Sequence, residues 1–77
     1  MSHETTIDLR VKDDTGEMIF RIRAHTPLKH LMDTYCATTG RSHGGLGFLA
    51  NGAPFSATHT PAALGLEDGD VIEVVPA

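Results

Sequence analysis

The sequence predicts a two-layer α+β domain in which one amphipathic helix covers a mixed, mostly antiparallel sheet. Two adjacent segments near the start of the chain alternate apolar and polar residues, which is the spacing of strands with one buried face. The spacing then changes to that of a helix, and shorter extended segments follow. The helix therefore has to cover the apolar face that the strands share.

The first two strands are predicted over residues 6–12 and 17–24. Each has an apolar residue at every second position, so one face of each strand belongs in the core. These apolar positions are Ile7, Leu9, Val11, Met18, Phe20 and Ile22. Residues 13–16 between them have a turn composition, and Gly16 tolerates a positive φ. The two strands are therefore expected to form an antiparallel hairpin.

The helix is predicted from Pro27 to about Thr39. Its apolar residues recur at a three- and four-residue spacing, which gives one buried stripe. The stripe consists of Leu28, Leu31, Met32 and Tyr35. Thr26 is expected to cap the first amides with its hydroxyl, and Pro27 suits the first helical position because its missing N–H has no helical partner there. Gly40 is expected to end the helix.

The rest of the chain is predicted to form shorter pieces. In order, they are a loop (41–45), a buried strand (46–50), a turn at Asn51-Gly52, a brief edge segment (53–55), one helical turn (60–65), an acidic turn (67–70) and a last strand (71–75). The last strand is almost entirely apolar, which suits a central position in the sheet. If it pairs beside the first strand, the second strand lies at a sheet edge.

Composition limits the class of protein. A chain of 77 residues is expected to be one domain spanning residues 1–77, with a mobile tail over residues 1–5. The formal net charge of −4 argues against nucleic acid as a partner. No apolar run approaches the ~20 residues that cross a bilayer, and the start lacks the apolar segment of a signal peptide, so we expect a soluble intracellular monomer without membrane partners. The single cysteine, Cys36, fits a reducing compartment.

The predicted order of elements is the β-grasp topology, and the chain resembles the SUMO branch of the ubiquitin-like proteins. The matching segments are Ile7-x-Leu9-x-Val11, Gly16-Glu17-x-x-Phe20-Arg21-Ile22-Arg23, Leu28-Lys29-x-Leu31-Met32-x-x-Tyr35-Cys36, Phe48-Leu49, Gly52, His59-Thr60-Pro61-x-x-Leu64-Gly65-Leu66-Glu67-Asp68-Gly69-Asp70 and Val71-Ile72-Glu73-Val74. They cover most of the chain in the order of the family. The Tyr35-Cys36 pair and the run over 60–74 are more specific than a shared fold requires.

The resemblance implies a peptide groove between the second strand and the helix. In SUMO proteins this groove binds the SUMO-interacting motif, a short extended peptide that adds to the edge strand and buries aliphatic side chains. The matching positions are Met18, Ile19, Phe20, Arg21, Ile22, Arg23, His30, Leu31, Tyr35 and Thr38. Arg21 and Arg23 would attract an acidic flank of the peptide. Thr38 replaces a basic side chain that is usual in the family, so the attraction from the helix should be weaker.

The resemblance also implies a second surface, on the opposite face, that holds the SUMO-conjugating enzyme without covalent chemistry. The matching positions are Gly52, Glu67, Asp68 and Asp70. The three carboxylates would meet basic side chains of the enzyme. Asp70 has a competing role, because an aspartate that follows glycine at the entry to a strand also holds a turn.

Each of these features has a simpler interpretation. The inward residues of the second strand are typical of an ordinary core, its arginines of a solvated strand face, and the acidic residues of a turn. Cys36 fits a small packed side chain, and the sequence places no activating histidine near it, so we expect no enzymatic activity. Of the five histidines only His25 and His30 lie close in sequence, and no metal or other cofactor is expected.

The sequence thus predicts a SUMO-like protein that acts in the sumoylation pathway, in the nucleus and cytoplasm, by non-covalent recognition. The alternative is a conjugatable SUMO modifier whose C-terminal Gly-Gly tail is not part of this sequence. Pro76 and Ala77, the two residues expected beyond the last strand, span at most ~7 Å, and proline stiffens them. We therefore expect the 77-residue chain itself to form no thioester with the SUMO-activating enzyme.

Overall fold

The structure is a computed structural model that describes residues 5–76. Within them, five strands form one mixed sheet in the order β2-β1-β5-β3-β4, and one α-helix covers a face of it. The elements are β1 (Thr6–Asp13), β2 (Gly16–Arg23), α1 (Lys29–Thr39), a 3₁₀ turn (His43–Gly45), β3 (Leu46–Ala50), β4 (Ala53–Pro54) and β5 (Val71–Pro76). The predicted two-layer α+β fold with β-grasp topology is confirmed.

The predicted hairpin is formed by β1 and β2. The two strands pair antiparallel from Thr6 opposite Arg23 to Asp13 opposite Gly16, which has φ 144°. Leu9 and Val11 on β1 are almost completely buried, as their alternation with charged residues predicts. The predicted bounds of the hairpin are correct to within one residue.

The last strand is central, as predicted. β5 pairs parallel with β1, where Val11 lies opposite Ile72, and antiparallel with β3, where Phe48 lies opposite Val74. Ile72 has no exposed surface. Because β1 and β3 both pair with β5, β2 and the short β4 form the two edges of the sheet.

The predicted start of the helix is wrong. The helix begins at Lys29, not at Pro27, and its N-cap residue is Leu28 in helical geometry without a side-chain cap. The Thr26 hydroxyl therefore caps nothing. The Thr26 amide instead donates to the Arg23 carbonyl at 3.1 Å, which closes a turn before the helix.

The long loop after β4 supplies the missing cap. The Leu28 N–H donates to the His59 carbonyl at 2.8 Å, and the Lys29 N–H donates to the Ala57 carbonyl at 2.9 Å. Free amides at a helix start need acceptors, and here backbone carbonyls from a distant loop provide them. These contacts fix the start of α1 against the loop that follows β4.

The end of the helix agrees with the prediction, since Gly40 adopts the left-handed conformation with φ 72°. Residues 41–45, predicted as loop, contain the 3₁₀ turn. The Asn51-Gly52 turn is confirmed, with φ 50° and 86°. The predicted single turn after β4 is also present, since the Thr60 hydroxyl accepts from the Ala63 amide at 3.1 Å.

The core lies between α1 and the sheet. Its buried apolar residues are Ile7, Leu9, Val11, Ile22, Leu28, Leu31, Met32, Tyr35, Cys36, Phe48, Ala50, Leu66, Ile72 and Val74. The Tyr35 and Phe48 rings pack edge to face, with centroids 5.9 Å apart. No helix in the described part of the chain is long and apolar enough to cross a membrane.

The predicted tail over residues 1–5 lies almost entirely outside the described residues, which begin at Thr5. The Thr5 carbonyl accepts from the Ala24 amide at 2.8 Å, so the pairing of β1 with β2 extends to this residue.

Candidate protein-binding surfaces

The edge strand β2 presents two different faces. Met18 and Phe20 point toward the helix side and are half-buried against the core, while Ile22 is buried. Ile19 points to the opposite side and is 67% exposed, the one large apolar side chain so exposed among residues 5–76. An edge strand with apolar side chains on its accessible rim is a surface that another chain can occupy.

A small pocket of about 100 Å³ lies between β2 and α1. Its lining residues, which define the groove, are Phe20, Arg21, Ile22, His30, Leu31 and Thr34. Five of these six belong to the predicted peptide site. Thr34 is not among the residues predicted from the sequence, although it lies four residues from both His30 and Thr38. Positions four apart share a helix face, so this spacing would have identified it.

The structure places the other predicted groove residues outside the pocket. Tyr35 is fully buried, and its hydroxyl donates to Asp13 Oδ2 at 2.5 Å. The prediction that Tyr35 lines the groove is therefore corrected: it faces the sheet as part of the buried helix stripe. Thr38 is exposed farther along α1, and Arg23 is exposed at the end of β2.

Arg21 belongs to the groove and also to the outer face of the sheet. Its Nε donates to Asp8 Oδ1 at 3.0 Å, across the β1–β2 pair. This hydrogen bond, together with the negative charges of Asp8 and Asp68, raises the pKa of the Arg21 guanidinium. The Arg21 side chain is 74% exposed, so a ligand can reach it.

The acidic turn, residues 67–70, is held by its own carboxylates. Asp70 Oδ2 accepts from the Glu67 amide at 2.8 Å, and Asp68 Oδ1 accepts from the Asp8 amide at 2.7 Å. The Gly69 amide donates to the Asp8 carbonyl at 2.8 Å. Asp70 thus has the turn-holding role that the sequence raised as an alternative, whereas the Glu67 side chain is exposed.

The turn that contains Gly52 contacts the acidic turn. The neighbouring Asn51 donates from Nδ2 to Asp70 Oδ2 at 3.4 Å, and its amide donates to the Val71 carbonyl at 3.2 Å. These contacts bring the turn that contains Gly52 next to the start of β5. Gly52 and the three carboxylates therefore belong to one region of the surface.

The groove and the acidic turn share one neighbouring residue, Asp8. Asp8 connects them, since its carboxylate binds Arg21 while its backbone binds the turn at Asp68 and Gly69. Asp8 is not predicted from the sequence, because an outward aspartate on a strand is typical of a solvated face.

The single thiol of the chain lies in the core. Cys36 is buried, and burial, together with the negative charge of Asp33, raises the pKa of its thiol, which makes it a poorer nucleophile. No three His, Cys, Asp or Glu side chains within residues 5–76 come together as metal ligands. The described surface has a strand edge, an apolar pocket, and exposed basic and acidic side chains, of which Arg21 and Asp8 form a pair.

Comparison with known sequences identifies relatives over nearly the whole chain. A family model described as "Ubiquitin-2 like Rad60 SUMO-like" matches residues 5–75. Small ubiquitin-related modifier 4 of Sus scrofa is 46% identical over 70 residues, which are 90% of this chain and 74% of that protein. Small ubiquitin-related modifier 2 of Homo sapiens is 42% identical over 69 residues, which are 88% of this chain and 73% of that protein.

Solved structures agree with this assignment. SUMO from Trypanosoma brucei has a TM-score of 0.80 at 40% identity, over 100% of this chain and 76% of that one. A ubiquitin from Caldiarchaeum subterraneum has a TM-score of 0.84 at 14% identity, over 95% of each chain, and supports the fold alone. By fold and by sequence, the chain belongs to the SUMO-like family of ubiquitin-like proteins.

Proposed function

We propose that the chain acts in the sumoylation pathway by non-covalent protein recognition, with SUMO-interacting-motif peptides as ligands of the groove. The observation that carries this proposal is the coincidence of a strand edge and an apolar pocket. β2 ends the sheet on one side, and the pocket lies between this strand and α1. A peptide laid along β2 gains main-chain hydrogen bonds while its aliphatic side chains enter the pocket.

The pocket supports this mode of binding by its shape and lining. Phe20 and Leu31 supply apolar walls, and the Phe20 ring is half-buried, so it is held by the core yet open to a ligand. An opening of about 100 Å³ accommodates one or two aliphatic side chains rather than a folded partner. An interface this small is expected to give roughly micromolar affinity.

The charges near the groove favour an acidic flank on the peptide. Arg21 is mostly exposed, and Arg23 follows it on the same face of β2. Lys29 lies at the start of α1, where it pairs with Asp33 at 3.4 Å. A peptide with carboxylates beside its aliphatic residues would meet the basic end of β2.

We further propose that the acidic turn binds the SUMO-conjugating enzyme through basic side chains of the enzyme. Glu67 and Asp68 are exposed, and the Gly52 turn lies beside them. In this role the chain is an adaptor of the nucleus and cytoplasm and carries out no catalytic step. The buried thiol of Cys36 is consistent with that assignment.

An NMR titration tests the groove. A short aliphatic peptide with an acidic flank is added to labelled protein, and amide shifts are followed. We expect shifts from Met18 to Arg23 and along α1 near Leu31 and Thr34. Shifts confined to another surface, or no shifts at millimolar peptide, would refute the proposed groove function.

A second candidate function is conjugation to other proteins, and the curated relatives favour it because they are named small ubiquitin-related modifiers. Non-covalent binding does not separate the two functions, since a modifier uses the same surfaces. The distinguishing experiment appends a short flexible stem that ends in Gly-Gly and assays ATP-dependent thioester formation with the SUMO-activating enzyme. Thioester formation supports the modifier, and its absence supports the adaptor.

A further inference from the structure

The positive charge that the groove would offer to a ligand is already engaged within the protein. Arg21 and Asp8 are directly opposite one another in the β1–β2 register, and the guanidinium binds the carboxylate at 3.0 Å. Both side chains remain accessible, at 74% exposed for Arg21 and 38% for Asp8. An acidic ligand group that binds Arg21 must therefore compete with the carboxylate of Asp8.

The backbone of Asp8 is held in place when a ligand binds Arg21. Its amide donates to Asp68 Oδ1 at 2.7 Å and its carbonyl accepts from the Gly69 amide at 2.8 Å, so the acidic turn fixes the backbone on both sides. The Asp68 carboxylate therefore stays beside the backbone of Asp8 whether or not Arg21 binds the Asp8 side chain.

We propose that Asp8 is a specificity-determining residue that competes with acidic ligands for Arg21 and couples the groove to the acidic turn. This inference rests on the proposed function and names a regulation of the same site. In the unliganded protein Asp8 weakens the binding of acidic flanks. Peptides without an acidic flank do not need Arg21, so Asp8 leaves their binding unchanged.

The coupling has a definite sign. When an acidic ligand binds Arg21, the Asp8 carboxylate loses its guanidinium partner while Asp68 remains on the Asp8 amide, so the region of the turn attracts a basic partner more strongly. Conversely, a basic partner that engages Asp8 frees Arg21 for an acidic peptide. The two binding events therefore favour one another, to the same extent in both directions.

The size of the effect follows from the exposure of the pair. Ion pairs this accessible contribute little, so we expect changes of about two- to five-fold in affinity at low salt. Added salt should reduce the change, because solvent-exposed charges are screened.

The first test compares two peptides on three proteins. The peptides share an aliphatic core, and one carries an acidic flank where the other is neutral. The proteins are the wild type, Asp8→Asn and a matched control, Asp14→Asn, which removes one carboxylate from a different exposed ion pair, that with Arg41 at 2.6 Å. Asparagine at position 8 keeps the amide that binds Asp68.

We expect Asp8→Asn to bind the acidic peptide about two- to five-fold more tightly and the neutral peptide as the wild type does. Asp14→Asn should match the wild type with both peptides. An equal gain for both peptides, or an equal gain in the control, overturns the inference while the groove function stands. A wild type that binds neither peptide overturns the groove function and this inference together.

The second test measures the coupling at the turn, with a trilysine peptide as the probe. Arg21→Gln mimics an occupied groove by removing the guanidinium from Asp8, and Arg41→Gln makes the same change in net charge elsewhere. We expect trilysine to bind Arg21→Gln about two- to five-fold more tightly than the wild type, with shifts at the Gly69 amide. Equal affinities for the two variants overturn the coupling.

Discussion

The Tyr35 hydroxyl donates to Asp13 Oδ2 at 2.5 Å, and this contact ties the helix to the end of β1. The ring of Tyr35 is fully buried against Phe48, so its hydroxyl needs a partner at the rim of the core. The hydrogen bond lowers the pKa of Asp13 to about 2, and two contacts from Thr15 contribute to the same shift. Burial and the Asp13 carboxylate raise the pKa of Tyr35 to about 12.

The Asp13 contact predicts a loss of stability in acid. Because the folded pKa of about 2 lies below the ordinary aspartate pKa of 3.8, the contribution of Asp13 is present above the unfolded pKa and is lost as the pH falls through the folded one. We expect the urea midpoint of the wild type to fall as the pH is lowered from the unfolded pKa of 3.8 to the folded pKa of about 2. Tyr35→Phe keeps the ring but removes the donor, so its midpoint should depend less on pH. An unchanged dependence in this variant would exclude the contact as its source.

The same contact predicts a late titration of the tyrosine. The chain has one tyrosine and no tryptophan, so tyrosinate absorbance reports Tyr35 alone. Its folded pKa of about 12 lies above the ordinary tyrosine pKa of 10.0, so the stabilisation is complete below the unfolded pKa and is lost as the pH rises through the folded one. We expect the folded protein to titrate later than the urea-unfolded chain. Coincident titrations would contradict the contact.

The start of the helix predicts a difference between two threonines. A threonine that caps a helix typically contributes about 1 kcal/mol, but Thr26 caps nothing, so Thr26→Ala should change the free energy of unfolding by less than about 0.5 kcal/mol. The hydroxyl of Thr60 does accept an amide, from Ala63, and Thr60→Ala should cost about 0.5–1.5 kcal/mol. Urea unfolding of Thr26→Ala and Thr60→Ala measures both changes in the free energy of unfolding. A larger cost at Thr26 would restore the capping role that the sequence predicted.

These elements show which parts of the fold local sequence can predict. The apolar pattern of β5 predicts its central position correctly, and the alternation in β1 and β2 predicts their buried faces, because burial on one face leaves a period in the sequence. The cap at Leu28 leaves no such period. Its acceptors, His59 and Ala57, are backbone carbonyls about 30 residues away, and carbonyls have no sequence signature.

The residues of the candidate site likewise include some that the sequence can predict and others that it cannot. The resemblance to SUMO proteins predicts that His30 and Leu31 line the groove, and the spacing of the helix would also have identified Thr34. It does not separate Tyr35 from the groove, because a small rotation of the helix decides whether this position faces the sheet. The role of Asp8 depends on the register of two strands and on a turn 60 residues away, so only the folded chain reveals it.

The groove predicts that Phe20 anchors the peptide. Phe20→Ala removes a wall of the pocket and should weaken peptide binding by about 1–3 kcal/mol, as the truncation of an interface anchor does. Leu49→Ala, at a half-buried position on β3, is the control and should bind as the wild type does. Titration calorimetry, under conditions where both variants are fully folded, measures the peptide affinity of each. Equal losses in the two variants would assign the effect to general destabilisation.

The guanidinium of Arg21 is expected to act through charge alone. Arg21→Glu should weaken the binding of an acidic-flanked peptide at low salt, and the difference from the wild type should shrink as salt is added. A neutral-flanked peptide should be far less affected. A loss that is independent of salt would indicate instead that the aliphatic part of Arg21 packs on the ligand.

The acidic turn predicts separate roles for its three carboxylates. Asp70 accepts from the Glu67 amide at 2.8 Å, so Asp70→Lys should destabilise the fold by roughly 1–3 kcal/mol. Asp68→Lys loses the contact with the Asp8 amide as well as a surface charge, and should affect both folding and binding. The Glu67 side chain is exposed, so Glu67→Lys should leave the urea midpoint near that of the wild type.

Glu67→Lys is therefore the variant that isolates binding of the conjugating enzyme from folding. Reversal of one exposed charge opposite a basic partner should weaken the complex by about 1 kcal/mol at low salt. At molar salt, where charges are screened beyond ~3 Å, the variant and the wild type should bind alike. Surface plasmon resonance at two salt concentrations measures both, with Glu73→Lys on the exposed face of β5 as the control for net charge. If Glu67→Lys and Glu73→Lys weaken binding equally, the enzyme responds to overall charge and the acidic turn is not its docking site.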